Sequence, residues 1–264
     1  MFASFWIHRS LIQQLFIREI QSRYRGSFMG VLWSFITPLF LLAIFTFVFK
    51  YVFKARWSTP GIDGAELNFA MMLFMGLIIH GMISDVLSRS PTLILSNVNF
   101  VKKVVFPLEI LSLVTLLGSL FNFLISFMLL LAMVAFELSY VPLTVFLLPF
   151  VILPYIVFLL GLSWILAALG VYVRDIQHVT ASLTTLLLFL SPVFYSIDIL
   201  PLTFQTIIYL NPIALIVEEC RAVVIFGEAP DLKPIFIYSV VSVLVAFAGF
   251  HFFQRARKGF ADVL

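Results

Sequence analysis

Six long apolar runs, at about residues 31–53, 67–86, 108–136, 143–173, 179–197 and 235–253, constrain this chain more than any motif does. Each approaches or exceeds the ~20 residues that carry a helix across roughly 30 Å of hydrocarbon. Where no water can bond the backbone, every N–H and C=O must be satisfied inside its own segment, and runs of this length do so as helices. The expected fold is therefore an all-α polytopic membrane protein with six transmembrane helices. Composition leaves little room for another class. With 62% hydrophobic and 11% charged residues and a mean hydropathy of +1.14, the chain has too few polar side chains to clothe a soluble domain. The spans use up nearly all of the 264 residues, so no separate catalytic domain is expected. Cys220 is the only cysteine and reads as a small buried apolar residue. The first residues do not read as a cleaved signal peptide, because Gln13, Gln14, Arg18 and Glu19 interrupt any apolar core.

Residues 1–30 form a leader to the first run. Within it, 5–24 read as an amphipathic interfacial helix, with Phe5, Ile12, Phe16 and Ile20 on one side and Ser10, Gln14, Arg18 and Gln21 roughly opposite. Arg9, Gln13 and Arg23 break the stripe. The sequence RYRGSFMGVLW at 23–33 then joins leader to span without a polar linker. In this elbow Arg18, Arg23, Tyr24 and Arg25 suit the headgroup layer, Gly26 suits a left-handed helix end, and Trp33 suits an interfacial anchor. A simple positive flank of a span is the alternative reading. Residues 31–264 are expected to make one membrane domain. Between its fifth and sixth spans, 198–234 is cut by Pro201, Asn211, Pro212, Pro230 and Pro234 into stretches too short to cross. Two short re-entrant helices on the outer face are expected there. Glu218 and Arg221, three residues apart on the second, are placed to form a structural ion pair.

Orientation follows from Lys and Arg. With the N-terminus inside, the leader, the 88–107 loop (Arg89, Lys102, Lys103), Arg174 and the tail (Arg255, Arg257, Lys258) hold most of the sixteen basic residues. Both termini are therefore expected to be cytoplasmic. The net charge of +3 is a membrane signature with no implication of nucleic acid. No G-x-x-x-x-G-K-[ST] loop occurs, so the chain is not expected to hydrolyse ATP itself. His8, His80, His178 and His251 lie too far apart to suggest a local metal site, and His80 reads as a hydrogen-bonded packing residue. There is no ladder of intramembrane charges of the kind that ion-coupled pumps use. An external energy source is the better expectation.

Four motifs in order, namely 23–33 followed by Pro38-Leu39, NVNFVKKVVFP at 97–107 followed by Leu108-Glu109, Ser191-Pro192-Val193-Phe194-Tyr195, and Asn211-Pro212 ahead of Arg221, give the chain a family likeness. It resembles the membrane subunit of type 2 ABC exporters, in the branch that exports O-antigen, capsular polysaccharide and teichoic acid. The resemblance covers nearly the whole chain. It implies a homodimer paired with two copies of a separate nucleotide-binding subunit, with ATP and Mg held there and no cofactor here. It further implies a lipid-linked polysaccharide as cargo and the cytoplasmic (inner) membrane as location. Residues 88–107 would hold the ATPase-coupling element, with Asn97, Lys102, Lys103, Phe106, Pro107 and Glu109 as its working residues. Ser96 and Asn97 suit a helix cap, and Pro107 with Glu109 suits the start of the next span. The outer gate would involve Pro192, Tyr195, Asn211, Pro212, Glu218 and Arg221. Arg174 and Asp175 would stand at the cytoplasmic entrance, paired or against lipid phosphates. A type 2 permease for drugs or small lipids is the neighbouring alternative. A membrane-embedded glycan transferase would require clustered acids or a metal site that the sequence lacks.

Two residue patterns bear on packing and passage. Ser112, Thr115, Ser119, Asn122 and Ser126 form a polar stripe of small residues on the third span, and Gly161, Ser163, Ala167, Ala168 and Gly170 permit close helix approach on the fourth. Helix packing is the favoured reading of both. Aromatic residues make up 16% of the chain, and their faces suit sugar rings that slide past.

Overall fold

In the computed structural model, residues 6–23, 26–53, 69–102 and 106–264 are described. Tyr24, Arg25 and Lys103, expected in the elbow and the coupling element, lie outside them. The described residues are helical throughout, with no strand among them. Five stretches are long and apolar enough to cross a membrane: Gly30–Phe49, Phe69–Thr92, Glu109–Leu138, Leu143–Tyr172 and Leu232–Val263. The chain is a multi-pass membrane protein.

Helix α1 (Arg9–Arg23) packs chiefly on the later helix α5 (Glu109–Leu138), through the face that carries Ile12, Phe16 and Ile20. Phe16 meets the edge of Phe121 there, with ring centroids 6.5 Å apart. Ser10, Gln14, Arg18 and Gln21 face outward, as the stripe predicts. Gly26 (φ +83°) and Gly30 (φ +54°) both take the left-handed conformation that a side chain resists, and between them the chain turns into a 3-10 turn, Gly30–Leu32. Helix α2 (Trp33–Phe45) follows, carries Pro38 inside, and runs on as a π-helical stretch, Thr46–Val52.

Helix α3 (Phe69–Arg89) is the centre of the molecule. It packs against α2, α5 and three helices further along the chain, and nearly every side chain from Ala70 to Leu87 is buried. A polar core is absent from that list except for His80, whose Nε2 pairs with the Thr184 carbonyl at 3.1 Å, as a packing histidine should. The chain then makes two 3-10 turns, Ser90–Thr92 and Leu95–Asn97, and the single-turn helix α4 (Val98–Val101) before α5. Helix α5 ends at Ser139, whose φ of +62° is unusual for a residue with a side chain.

Helix α6 (Leu148–Tyr172) runs along the last long helix, α10 (Leu232–Ala256), in the most extensive pairing of the fold. Small residues make that possible. A Cβ on Gly161 would lie 2.6 Å from the backbone of Ala246, and one on Gly249 would strike the Gly161 carbonyl. Likewise Gly170 admits the Pro91 carbonyl, and Ser163 Oγ shares a 2.9 Å hydrogen bond with Ser90 Oγ. Lipid tails are as apolar as leucine, so helices in a membrane gain by approaching closely, which is what this small-residue seam allows.

The fifth expected span is shorter than its apolar run suggested. Helix α7 (Ile176–Leu190) has 15 residues and rises about 22 Å at 1.5 Å per residue. It stops at Ser191, where Pro192 lacks the N–H to continue and Ser191 Oγ turns back to the Leu187 carbonyl. The last apolar residues of the run, 191–197, form a turn. Beyond it come a 3-10 turn, Ile197–Ile199, and two eight-residue helices, α8 (Leu202–Tyr209) and α9 (Ala214–Arg221), the latter extended by a π-helical stretch, Ala222–Phe226. Gly227, left-handed at φ +73°, ends it. Asp231 caps α10 by accepting from the Lys233 N–H at 3.1 Å. A final turn, Arg257–Gly259, leads to the short helix α11 (Phe260–Val263).

Candidate functional site

Among the described residues, three places gather charged side chains that link separate segments. The first joins leader to core. Arg23, at the end of α1, donates from Nε to Glu19 at 3.1 Å and from Nη1 to Asp85 of α3 at 2.8 Å. Arg89, one turn beyond Asp85, donates from Nε to Asp85 at 2.7 Å and from Nη1 to Glu19 at 3.0 Å. Two acids and two arginines thus close a ring that pins α1 to α3. Arg23 was expected among lipid phosphates; its side chain is instead 5% exposed, because Asp85 offers a carboxylate at the depth where an uncompensated guanidinium could not stay. Arg18 does project outward, and Trp33, 44% exposed, begins α2.

The second place is the segment into α5. Neither Ser96 nor Asn97 caps α4. Ser96 Oγ bonds back to the Thr92 carbonyl at 2.9 Å, and Asn97 Nδ2 donates to the Leu93 carbonyl at 2.9 Å, so both side chains close the preceding turns. Short polar side chains compete for nearby carbonyls in this way when a helix is only one turn long. Lys102 is exposed at the end of α4. Phe100 of α4 stacks on Phe106, centroids 4.3 Å apart, and folds the segment back toward Pro107. Glu109 opens α5 as expected, but it is buried and faces Arg257 at 3.1 Å. Arg257 also donates to the Phe106 carbonyl at 2.8 Å, and Trp164 Nε1 donates to the Glu109 carbonyl at 3.0 Å. The segment is therefore held from the tail and from α6.

The third place is the knot after α7. Arg221 is fully buried and acts as its hub: Nε and Nη2 donate to the Met72 carbonyl of α3 at 3.1 and 2.9 Å, Nη2 also reaches the Val193 carbonyl at 3.1 Å, and Nη1 pairs with Glu218 at 2.8 Å. The expected i,i+3 pair is present. Val193 lies so close to α3 that a Cβ on Gly76 would sit 3.0 Å from its Cα. Asn211 donates to Ser191 Oγ at 2.9 Å and accepts from the Ile213 N–H at 3.0 Å, while the Pro212 carbonyl accepts from Tyr238 of α10 at 3.0 Å. Pro192 is buried, and Tyr195 donates to the Phe189 carbonyl at 3.3 Å. Glu219 accepts the Asp231 N–H at 3.0 Å and ties α9 to the start of α10. All six expected gate residues thus fall in one connected region.

Arg174 and Asp175 sit exposed in the turn between α6 and α7, and among the described residues no ion pair joins them. The polar stripe on α5 divides: Ser112 and Thr115 are buried against neighbours, whereas Ser119, Asn122 and Ser126 line an open slot. Large exposed aromatics gather along α2 and its extension, at Trp33, Phe35, Phe40, Phe47 and Tyr51. Sequence reasoning treated Glu19 and Arg89 only as loose charges and passed over Asp85. A usable signal was present: Glu19/Arg23 and Asp85/Arg89 each place an acid four residues ahead of an arginine, and Asp85 stands inside an apolar run.

The fold is a helical membrane domain with a buried arginine hub and a leader clamped to its core, and the chain belongs to the ABC-2 type transporter family, whose model matches residues 10–225. Among its relatives is the O-antigen export system permease protein RfbA of Myxococcus xanthus, 30% identical over 257 residues, covering 97% of this chain and 95% of the relative. The protein of the same name from Klebsiella pneumoniae is 24% identical over 94% of this chain and 92% of its own length. The polysialic acid transport protein KpsM of Escherichia coli is 24% identical over 93% and 94%.

Proposed function

We propose that this chain is the permease subunit of an ATP-driven exporter that moves a lipid-linked polysaccharide of the O-antigen kind across the cytoplasmic membrane. The observation that carries this reading is similarity to proteins named for O-antigen export and polysialic acid transport, over more than nine-tenths of both chains. The arrangement that suits the function is a homodimer with two nucleotide-binding subunits, in which ATP and Mg are bound by the partner. Both termini lie on the cytoplasmic side, α7 serves as the fifth of six crossings, and α8 and α9 dip into the outer face as a re-entrant pair. Lys102 and the residues around α4 would meet the ATPase. Because Arg257 holds both Phe106 and Glu109, a push on that segment reaches α5 and α10 together. At the other side, Arg221 couples the outer knot to α3, so closing and opening there would accompany movement of the central helix. The exposed aromatic face of α2 suits a sugar chain that must slide, since ring faces bind sugars without directional bonds. Arg174 and Asp175 stand where a charged lipid headgroup would arrive.

The test is reconstitution of the full chain with its ATPase in vesicles loaded with lipid-linked glycan. Glycan should appear on the far side only with the ATPase, ATP and Mg. Equal translocation without the ATPase, or ATP-driven movement of small lipids with none of the glycan, would sink the reading.

A further inference from the structure

The last residues of a chain usually fray unless something ties them down, and here they are tied. After α10 the chain turns at Arg257–Gly259, and α11 lies back against α6. Phe260 is fully buried there, with ring centroids 6.0 Å from Tyr172 and 5.6 Å from Phe253. Tyr172, the last residue of α6, donates from its hydroxyl to the Ala256 carbonyl at 2.7 Å. A Cβ on Gly259 would stand 2.7 Å from the same hydroxyl oxygen, so the turn passes the end of α6 with no room for a side chain. All of these tail residues lie beyond the 10–225 stretch that the family model matches.

The tail also reaches the segment that connects α3 to α5. That segment begins seated on α6: Ser90 Oγ shares its 2.9 Å bond with Ser163 Oγ, and the Pro91 carbonyl occupies the space that Gly170 leaves. It ends at Phe106 and Glu109, and Arg257 holds both, at 2.8 and 3.1 Å. A planar guanidinium fork suits two fixed acceptors in a way that a single ammonium does not. Arg257 follows Ala256 directly, so the Tyr172 bond lands beside the root of that fork. Both ends of the segment therefore bear on the last turn of α6, the first at Gly170 and the second through Arg257, Ala256 and Tyr172. Coupling between distant groups is carried by contiguous packed and hydrogen-bonded elements of this kind. With one end loose, a push on α4 would be absorbed by a swing of the other; with both ends held, it moves the helices.

We propose that the tail is a strap that turns a push on the α4 segment into joint movement of α5, α6 and α10, with Arg257 and Tyr172 as positioning residues for energy coupling. The inference rests on the export reading above and gives a role to Tyr172 and α11, which that reading leaves without one.

The full chain and its ATPase are reconstituted in vesicles with lipid-linked glycan, and glycan moved per ATP hydrolysed is compared among the parent, Tyr172→Phe and Arg257→Gln. Tyr172→Phe keeps the ring against Phe260 and removes only the hydroxyl that holds Ala256. Both variants should bind the ATPase and hydrolyse ATP as the parent does, yet move about fivefold less glycan per ATP, the factor that one net hydrogen bond supplies. A bond that served folding alone would lower the amount of complex and leave that ratio unchanged. Hydrogen exchange adds a measurement that needs no cargo. Adding the ATPase with a non-hydrolysable ATP analogue and Mg should change exchange at residues 257–263 of the parent, and the change should be lost in Arg257→Gln. The strap is overturned if both variants keep the parent's ratio, if the parent's tail does not respond, or if the tail responds equally in Arg257→Gln, which would put the ATPase directly on it. A parent that moves no glycan while its tail still responds would sink the export reading and leave the strap in place.

Discussion

Arg221 shows what a single buried charge does in an apolar molecule. It is fully buried, yet its donors meet two carbonyls from separate segments and one carboxylate, so the guanidinium has exchanged water for fixed partners. Truncation removes the donors and leaves Glu218 facing a hole. Arg221→Met should therefore cost about 3–5 kcal/mol in unfolding measured in detergent micelles, the range for breaking a buried pair. Adding Glu218→Gln should restore part of that loss, because the orphaned carboxylate is then neutral. A single variant as stable as the parent would show that the hub is held by packing alone.

Helix α1 and α3 meet through side chains that alternate in sign, and that makes the leader a part of the core. A double-mutant cycle on Arg23→Met and Asp85→Asn should give a coupling energy of about 0.5–3 kcal/mol, as residues sharing one ion network do. Additive effects within error would remove the clamp from the account. Arg257 belongs to the turn after α10 but bonds to Phe106 and Glu109. Arg257→Ala should leave insertion unchanged and raise amide hydrogen exchange at residues 108–112, since the start of α5 loses its outside brace. Unchanged protection there would mean that the Trp164 bond to the Glu109 carbonyl holds the helix start without help.

At the scale of the whole molecule, the proposed function has a partner ATPase push on the exposed end of α4. Lys102→Glu reverses the charge without touching a span, so it should weaken transport-linked ATP hydrolysis several-fold while membrane insertion stays normal; unchanged hydrolysis would move the docking site elsewhere. Much of this molecule was legible in its sequence. Apolar length alone determines that the chain lives in a membrane as helices, because an unbroken run of about 20 apolar residues satisfies its own backbone there only as a helix. Spacing alone placed Ile12, Phe16 and Ile20 on one face of α1 and brought Glu218 within reach of Arg221, since a helix has one fixed period. Gly161 and Gly170 were readable as close-approach positions for the same reason: a missing side chain is a local fact. What the sequence could not contain is which distant group answers each polar one. That Arg23 turns inward to Asp85, that Glu109 meets Arg257, and that Arg221 reaches the carbonyls of Met72 and Val193 were decided only when helices far apart in sequence came together. Charges and hydroxyls take their meaning from a partner, and in a fold of long helices the partner is seldom a neighbour in the chain.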